Sequence, residues 1–255
     1  MDIATLLTFF LLCISSATAH NDKEQAAQPD GYLSTRTCEG TQDTSSSDTC
    51  SIEKSHGDNI YLSLWEKSLD QAYQTLNLDF IQHMEAGDLP VDRYVNFTIQ
   101  DIYYLVKVTD MLKNMSTSVK KPEDLRQFFQ GRYSSYKRFQ DHLLSIFYRK
   151  GVSDIKPTPA MRKYVSDYET IMRTKEPIYF AVSLLPCSRL WVWLANKVDM
   201  APSNAYYAWK KDNMGGRPEK HYETLLNKYL TLNNTEAYHI FRTQMQNEHD
   251  FFATS

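Results

Sequence analysis

The chain has 255 residues, room for one domain with a little to spare. It is 42% hydrophobic and 23% charged, ordinary for a soluble globular protein, and its 8 glycines and 9 prolines argue against a loop-rich or all-β chain. A net charge of −3 builds no polyanion-binding surface, so nucleic acid is not an expected partner.

Residues 3–14 form an apolar run too short to span a bilayer as a helix. Ala17-Thr18-Ala19 follows, an A-x-A cleavage pattern. The expectation is a signal peptide over residues 1–19 and a secreted protein. The n-region departs from type in lacking Lys and Arg and carrying Asp2. No later stretch reads as a membrane span. Residues 20–55 are rich in Ser, Thr, Asp, Gln and Gly, which reads as a flexible leader. Within it Cys38 and Cys50 bracket a polar segment and are close enough to pair. Closing so short a loop stabilises by roughly 3 kcal/mol if the segment is ordered. Cys187 is then left unpaired in an oxidising compartment, either as an intermolecular link or as a thiol kept for use.

The predicted domain, residues 56–255, is helical throughout. Tyr61, Leu64, Trp65, Leu69, Ala72 and Leu76 recur at spacings of 3 and 4 and predict one helix over 60–76. Pro90 precedes a helix over 91–112, where its missing N–H costs little. Pro122 opens one that reaches about 148 before Gly151. Helices over 159–172 and 177–198 each start on a proline, and Pro202 begins a short one to about 211. Gly215-Gly216 breaks the chain, and helices over 219–232 and 235–252 complete it. No alternating strand is visible. The expectation is an all-α single domain larger than a four-helix bundle. Of three N-x-S/T sequons, Asn114 and Asn233 lie in polar, loop-like stretches and suit glycans; Asn96 falls inside a predicted helix and suits one less.

Three segments could carry chemistry. On the 91–112 helix Asp101 and Tyr104 share a face with Leu105 and Val108. An acid on an apolar face needs a partner or a job; a structural hydrogen bond to a tyrosine serves as well as catalysis. Leu184-Leu185-Pro186-Cys187 lies in the most apolar run, where Pro186 removes a backbone bond and kinks the chain. A cysteine in such a run is more often a buried small hydrophobe than a nucleophile. Glu248 precedes Phe251 and Phe252 and, alone, reads as a surface side chain of the last helix.

Together these segments resemble the TenA/thiaminase II family. Asp88-Leu89-Pro90 leading into Gln100-Asp101-Ile102-Tyr103-Tyr104-Leu105 is similar to the family's Gly-x-Leu-Pro turn and Gln-Asp-x-x-Tyr-Leu helix. Leu185-Pro186-Cys187 resembles its Leu-Pro-Cys, Tyr164 stands 23 residues earlier as its pocket tyrosine does, and Glu248 with Phe251 resembles its late Glu-x-x-Phe. Trp209 and Gly215-Gly216 match a Trp followed by Gly-Gly, so the resemblance spans about residues 60–252. Asn213-Met214 replaces the family's tyrosine before that pair, Trp191 replaces a tyrosine after the cysteine, and the segment 131–136 lacks its usual acids.

The resemblance implies a haem-oxygenase-like bundle and a cysteine-dependent thiaminase, cleaving the bond between the aminopyrimidine methylene and the thiazolium of thiamin. Cys187 is the implied nucleophile, Glu248 an acid held protonated by apolar neighbours, and Asp101 an ionised anchor for the exocyclic amine. Tyr104, Tyr164 and Trp191 would wall in the flat ring. Water as acceptor gives hydrolysis; an amine or thiol gives transfer. Neither a cofactor nor a metal is called for, and the seven histidines show no ligand spacing. A homo-oligomer is compatible with the fold. The competing readings are an aminopyrimidine salvage hydrolase, a non-catalytic carrier of thiamin or another heteroaromatic, and haem oxygenase, which would leave Cys187 and Glu248 unexplained.

Overall fold

A computed structural model describes residues 59–255; the signal peptide, leader and Cys38/Cys50 pairing expected above lie outside them. The described residues form ten α-helices and no strand, so the all-α single-domain expectation is met. The helices are α1 (Ile60–Glu66), α2 (Leu69–Leu76), α3 (Asp79–Ala86), α4 (Val91–Ser118), α5 (Glu123–Ile146), α6 (Pro159–Thr174), α7 (Pro177–Lys197), α8 (Tyr207–Asn213), α9 (Glu219–Tyr229) and α10 (Thr235–Ala253).

Local chemistry sets many of the ends. The side chains of Asn59, Thr158 and Asn234 cap α1, α6 and α10 by accepting from the N–H of Leu62 (3.1 Å), Met161 (3.1 Å) and Ala237 (2.9 Å). Pro159 and Pro177 sit in the first turns of α6 and α7. Gly87 ends α3 at φ 81°, left-handed backbone that favours glycine. A Cβ there would also approach Asn204 Nδ2 to 3.2 Å, the same nitrogen that bonds the carbonyls of Met84 and Glu85.

The structure corrects several expectations. The helix expected over 60–76 is two, separated at Lys67-Ser68, and α3 was not foreseen. The short helix expected from Pro202 starts at Tyr207, after turns in which the Tyr206 N–H bonds Asn204 Oδ1 at 2.7 Å. Helix α4 runs on to Ser118, so Asn114 is an exposed residue of its last turns rather than of a loop. Asn233 is exposed in a turn, and Asn96 is exposed on α4. Pro186 lies inside α7 without ending it.

Helices α4 and α5 pack along each other across the short link 119–122, an antiparallel pair. Helix α7 is the axis of the bundle and packs against α2, α6, α8, α9 and α10. By length and composition α7 could cross a membrane, contrary to the sequence reading. Its apolarity has a simpler cause: Phe180, Leu184, Leu185, Leu190 and Leu194 are fully buried among the other helices.

Candidate active site

Four helices converge on one buried cluster. Helix α4 supplies Asp101 and Tyr104, α6 supplies Tyr164, α7 supplies Cys187 and Trp191, and α10 supplies Glu248. All six residues singled out in the sequence are therefore buried, each exposed by 2% or less. Glu248 is no surface glutamate, and Cys187 is in no disulfide among the described residues. Three surface clefts, between α5 and α9, α6 and α10, and α1 and α7, are lined by none of the six.

Glu248 is the hub. Tyr164 donates its hydroxyl proton to Oε1, and Trp191 Nε1–H donates to Oε2 at 3.0 Å. The Cys187 thiol also bonds this carboxyl. Burial drives the Glu248 pKa up to about 7, while the Tyr164, Trp191 and Cys187 bonds pull it back down. Trp191 thus does more than wall the site: it supplies a donor that the smaller phenol of a tyrosine would aim differently.

Asp101 departs from expectation. Its pKa rises to about 8, first because of burial and then because of the charge on Glu248. Its Oδ2 has no hydrogen-bond partner. The sequence reading had Asp101 ionised and Glu248 protonated. The structure sets the opposite order: two carboxyls that repel each other lose protons in turn, and the one accepting three hydrogen bonds ionises first. Near neutrality Asp101 is a neutral acid with one oxygen to spare, and Glu248 is poised between its two forms.

A stability prediction follows from that burial. Unfolded, an aspartate ionises near pH 4. Folded, Asp101 keeps its proton until about pH 8. Between these values the native state binds a proton that the unfolded state has released, so stability is highest at the acid end and falls as pH rises. Glu248, raised to about 7, adds in the same direction. Asp101→Asn should flatten the decline in Tm between pH 5 and pH 8, read by scanning fluorimetry. Parallel Tm–pH curves for the two proteins would refute the assignment.

A third tyrosine, missed from the sequence, completes the cluster. Tyr168 lies one turn after Tyr164 and stacks on it at 5.1 Å. Its hydroxyl donates to the Ser183 carbonyl (3.1 Å) and lies 3.0 Å from Tyr104 and 3.3 Å from Tyr164. Ser183 is the residue whose carbonyl would face the Cys187 N–H one turn on. Its only signal was the i,i+4 spacing from Tyr164. Burial raises all three phenols well above their ordinary range, so they stay neutral and pass hydrogen bonds rather than charge. Behind Trp191, which bonds Glu248, Phe97 stacks on Trp191 (5.8 Å), Phe251 (4.9 Å) and Phe252 (5.4 Å). These rings supply the apolar surroundings that keep both carboxyls reluctant to ionise.

A sequence model of the TENA/THI-4/PQQC family matches residues 66–254, which include all seven side chains. The chain belongs to the TENA/THI-4/PQQC family. Solved TenA structures repeat its fold. A TenA homologue from P. horikoshii OT3 is 19% identical, with a TM-score of 0.63, over 76% of this chain and 96% of that one. A TenA family transcription regulator from Silicibacter sp. TM1040 is 12% identical, with a TM-score of 0.66, over 78% and 96%. A TenA homologue from Pyrococcus furiosus is 13% identical, with a TM-score of 0.58, over 76% and 98%. At these identities the likeness shows the fold alone. No curated protein sequence matches the chain significantly.

The departures from TenA motifs acquire positions. Asn213, where TenA proteins often carry a tyrosine, is buried and donates to the Trp209 carbonyl at 2.8 Å. Trp209 packs on Trp191 at 6.1 Å, so the position supports the site's wall, while Met214 is exposed. Tyr206 does not substitute for the missing phenol: its hydroxyl donates to the Leu89 carbonyl.

Proposed function

We propose that this chain is a secreted thiaminase that splits thiamin at its methylene–thiazolium bond and passes the pyrimidine to an organic nucleophile. The observation that carries the reading is the bond between the Cys187 thiol and Glu248 inside an enclosed aromatic site. A carrier of heteroaromatics has no use for a thiol paired with a carboxyl whose pKa is about 7. A regulator acting on DNA fits poorly with a net charge of −3. Secretion rests on the A-x-A pattern after Ile14, and Asn114 and Asn233 are exposed for glycans.

The chemistry runs in balanced steps. Ionised Glu248 takes the Cys187 proton, leaving a thiolate. The thiolate adds to a ring carbon of the pyrimidine while Glu248 returns that proton to a ring nitrogen. Electrons from the ring then break the methylene–nitrogen bond, and the pair leaves on the thiazole nitrogen, which becomes neutral. A nucleophile adds at the methylene, the ring recovers its aromaticity, the thiolate departs and the ring proton goes back to Glu248. The spare Oδ2 of Asp101 accepts from the exocyclic amine and fixes the register of the ring. Tyr104 and Tyr164, 5.0 Å apart, bound the flat substrate.

Transfer is favoured over hydrolysis by the side chains near the missing tyrosine. Asn213 donates an amide N–H to the Trp209 carbonyl and Tyr206 its hydroxyl proton to Leu89, so neither offers the hydroxyl proton that a tyrosine before Gly215 would. The test titrates an aromatic amine into purified enzyme with thiamin and follows products by mass spectrometry. The rate of thiamin loss should rise with amine, with a pyrimidine–amine adduct accumulating. A flat rate with hydroxymethylpyrimidine as sole pyrimidine product would return the assignment to hydrolysis. Thiamin left intact with and without amine would refute the thiaminase reading.

A further inference from the structure

The cleft between α5 and α9 carries a feature that the thiamin chemistry does not use. It has a volume of about 550 Å³, within the roughly 300–1,000 Å³ range of small-molecule sites. Helix spacing builds its walls. Phe128, Arg132 and Ser135 recur along one side of α5, and His221, Leu225 and Lys228 along one side of α9, at intervals of 3 and 4. Gly131 also lines it, and a Cβ there would meet nothing within 4 Å, so the floor is open.

Four cations, Arg132, Arg138, Lys220 and Lys228, and a single carboxylate, Asp124, line the cleft of a chain that is acidic as a whole. Asp124 is already satisfied: Lys228 Nζ lies 2.5 Å from Oδ2, and the Tyr229 hydroxyl donates to Oδ1 at 2.6 Å. Arg132 and Lys220 form no salt bridge among the described residues. Arg132 is the unusual one. It is only 5% exposed, its Nη1 has no hydrogen-bond partner, and no carboxylate among the described residues forms a salt bridge with it. It bonds the Tyr222 hydroxyl, a neutral group. A buried guanidinium without a counter-charge is costly, and such groups are paired in folded proteins. The neighbouring His221 feels the same field: burial, then Arg132 and Lys220, push its pKa down to about 4.

The uncompensated charge, the polar rim and the apolar wall point one way. We propose that this cleft is a second ligand site that takes a small organic phosphate. Its oxyanion is held by Arg132 and Lys220, and its apolar body rests against Phe128 and Leu225. A guanidinium fork with a nearby ammonium suits a dianion with several acceptor oxygens better than a monoanionic carboxylate. The Tyr222 hydroxyl that Arg132 bonds lies 3.4 Å from the Ser188 hydroxyl, next to Cys187.

The test uses the full chain and calorimetric titration with phenyl phosphate, with benzoate as the carboxylate probe and sodium chloride at matched ionic strength. Phenyl phosphate should bind, and benzoate about tenfold more weakly. Lys220→Glu, a change at an exposed position, should weaken phenyl phosphate about tenfold or more while leaving thiamin turnover unchanged. Arg132→Gln should remove detectable binding. Absence of phenyl phosphate binding to the wild-type chain would overturn the site. So would unchanged affinity in Lys220→Glu, or benzoate binding as tightly as phenyl phosphate. None of these outcomes depends on whether the chain cleaves thiamin.

Discussion

Cys187→Ser should abolish thiamin cleavage while leaving the fold in place, lowering kcat by roughly 10³-fold or more, the scale on which loss of a covalent nucleophile acts. The reasons are chemical and steric. A buried serine fills nearly the same space as Cys187 and still donates to Glu248, so the core loses little. Its hydroxyl ionises far outside the range that a carboxyl of pKa about 7 can reach, so no alkoxide forms. Single-turnover mass spectrometry of the wild-type enzyme should trap a pyrimidine adduct on the peptide bearing Cys187, absent in the variant. A serine variant with wild-type kcat would end the nucleophile assignment. A variant that is inactive because unfolded would show itself by a collapsed Tm, and Cys187→Ala would then carry the test.

How much of this was legible in the sequence differs from link to link. The long helices α4, α6, α7 and α10 announce themselves through periodicity and proline starts. The break between α1 and α2 does not. Tyr61, Leu64, Trp65, Leu69, Ala72 and Leu76 keep helical spacing across Lys67-Ser68, and a turn so short costs the pattern no register. Helix α3 is eight residues long, and periodicity over two turns is weak; its clearest mark is the left-handed Gly87 that stops it. The identities of Asp101, Cys187 and Glu248 could be read from motif spacing, but their states could not. The Asp101 pKa depends on burial by several helices and on a charge on α10, contacts that lie beyond any local window. The bond from Trp191 to Glu248 joins residues 57 apart and turns an apparent replacement of a wall residue into a change of donor. Arg132 stayed silent for the same reason: its burial and the unpartnered Nη1 are tertiary facts.

Glu248→Gln tests the proton path rather than the nucleophile. General acid–base groups contribute about 10²–10⁴-fold, and the loss here should fall in that range, mainly in kcat. Glutamine keeps the shape: its single amide oxygen can accept from Trp191, which can only donate, while its NH2 faces the Tyr164 hydroxyl, which can turn to accept. What it cannot do is take the Cys187 proton and hand it to the ring. The pH profile separates this from mere damage. In the wild type, Glu248 must be ionised to act as base, so kcat/KM should rise with pH through about 7. The variant should lack that limb, its residual rate climbing only where the thiol itself ionises. Asp101→Asn should behave differently, raising KM more than it lowers kcat, because its amide can still offer an oxygen to the substrate's amine but presents an NH2 where the neutral acid had a hydroxyl. If Glu248→Gln kept the wild-type limb near pH 7, the titrating base would have to be another group, and the neutral, buried Asp101 is the carboxyl nearest to that role. Equal and small effects from both substitutions would leave the thiol without a proton acceptor and would remove the acid–base half of the mechanism.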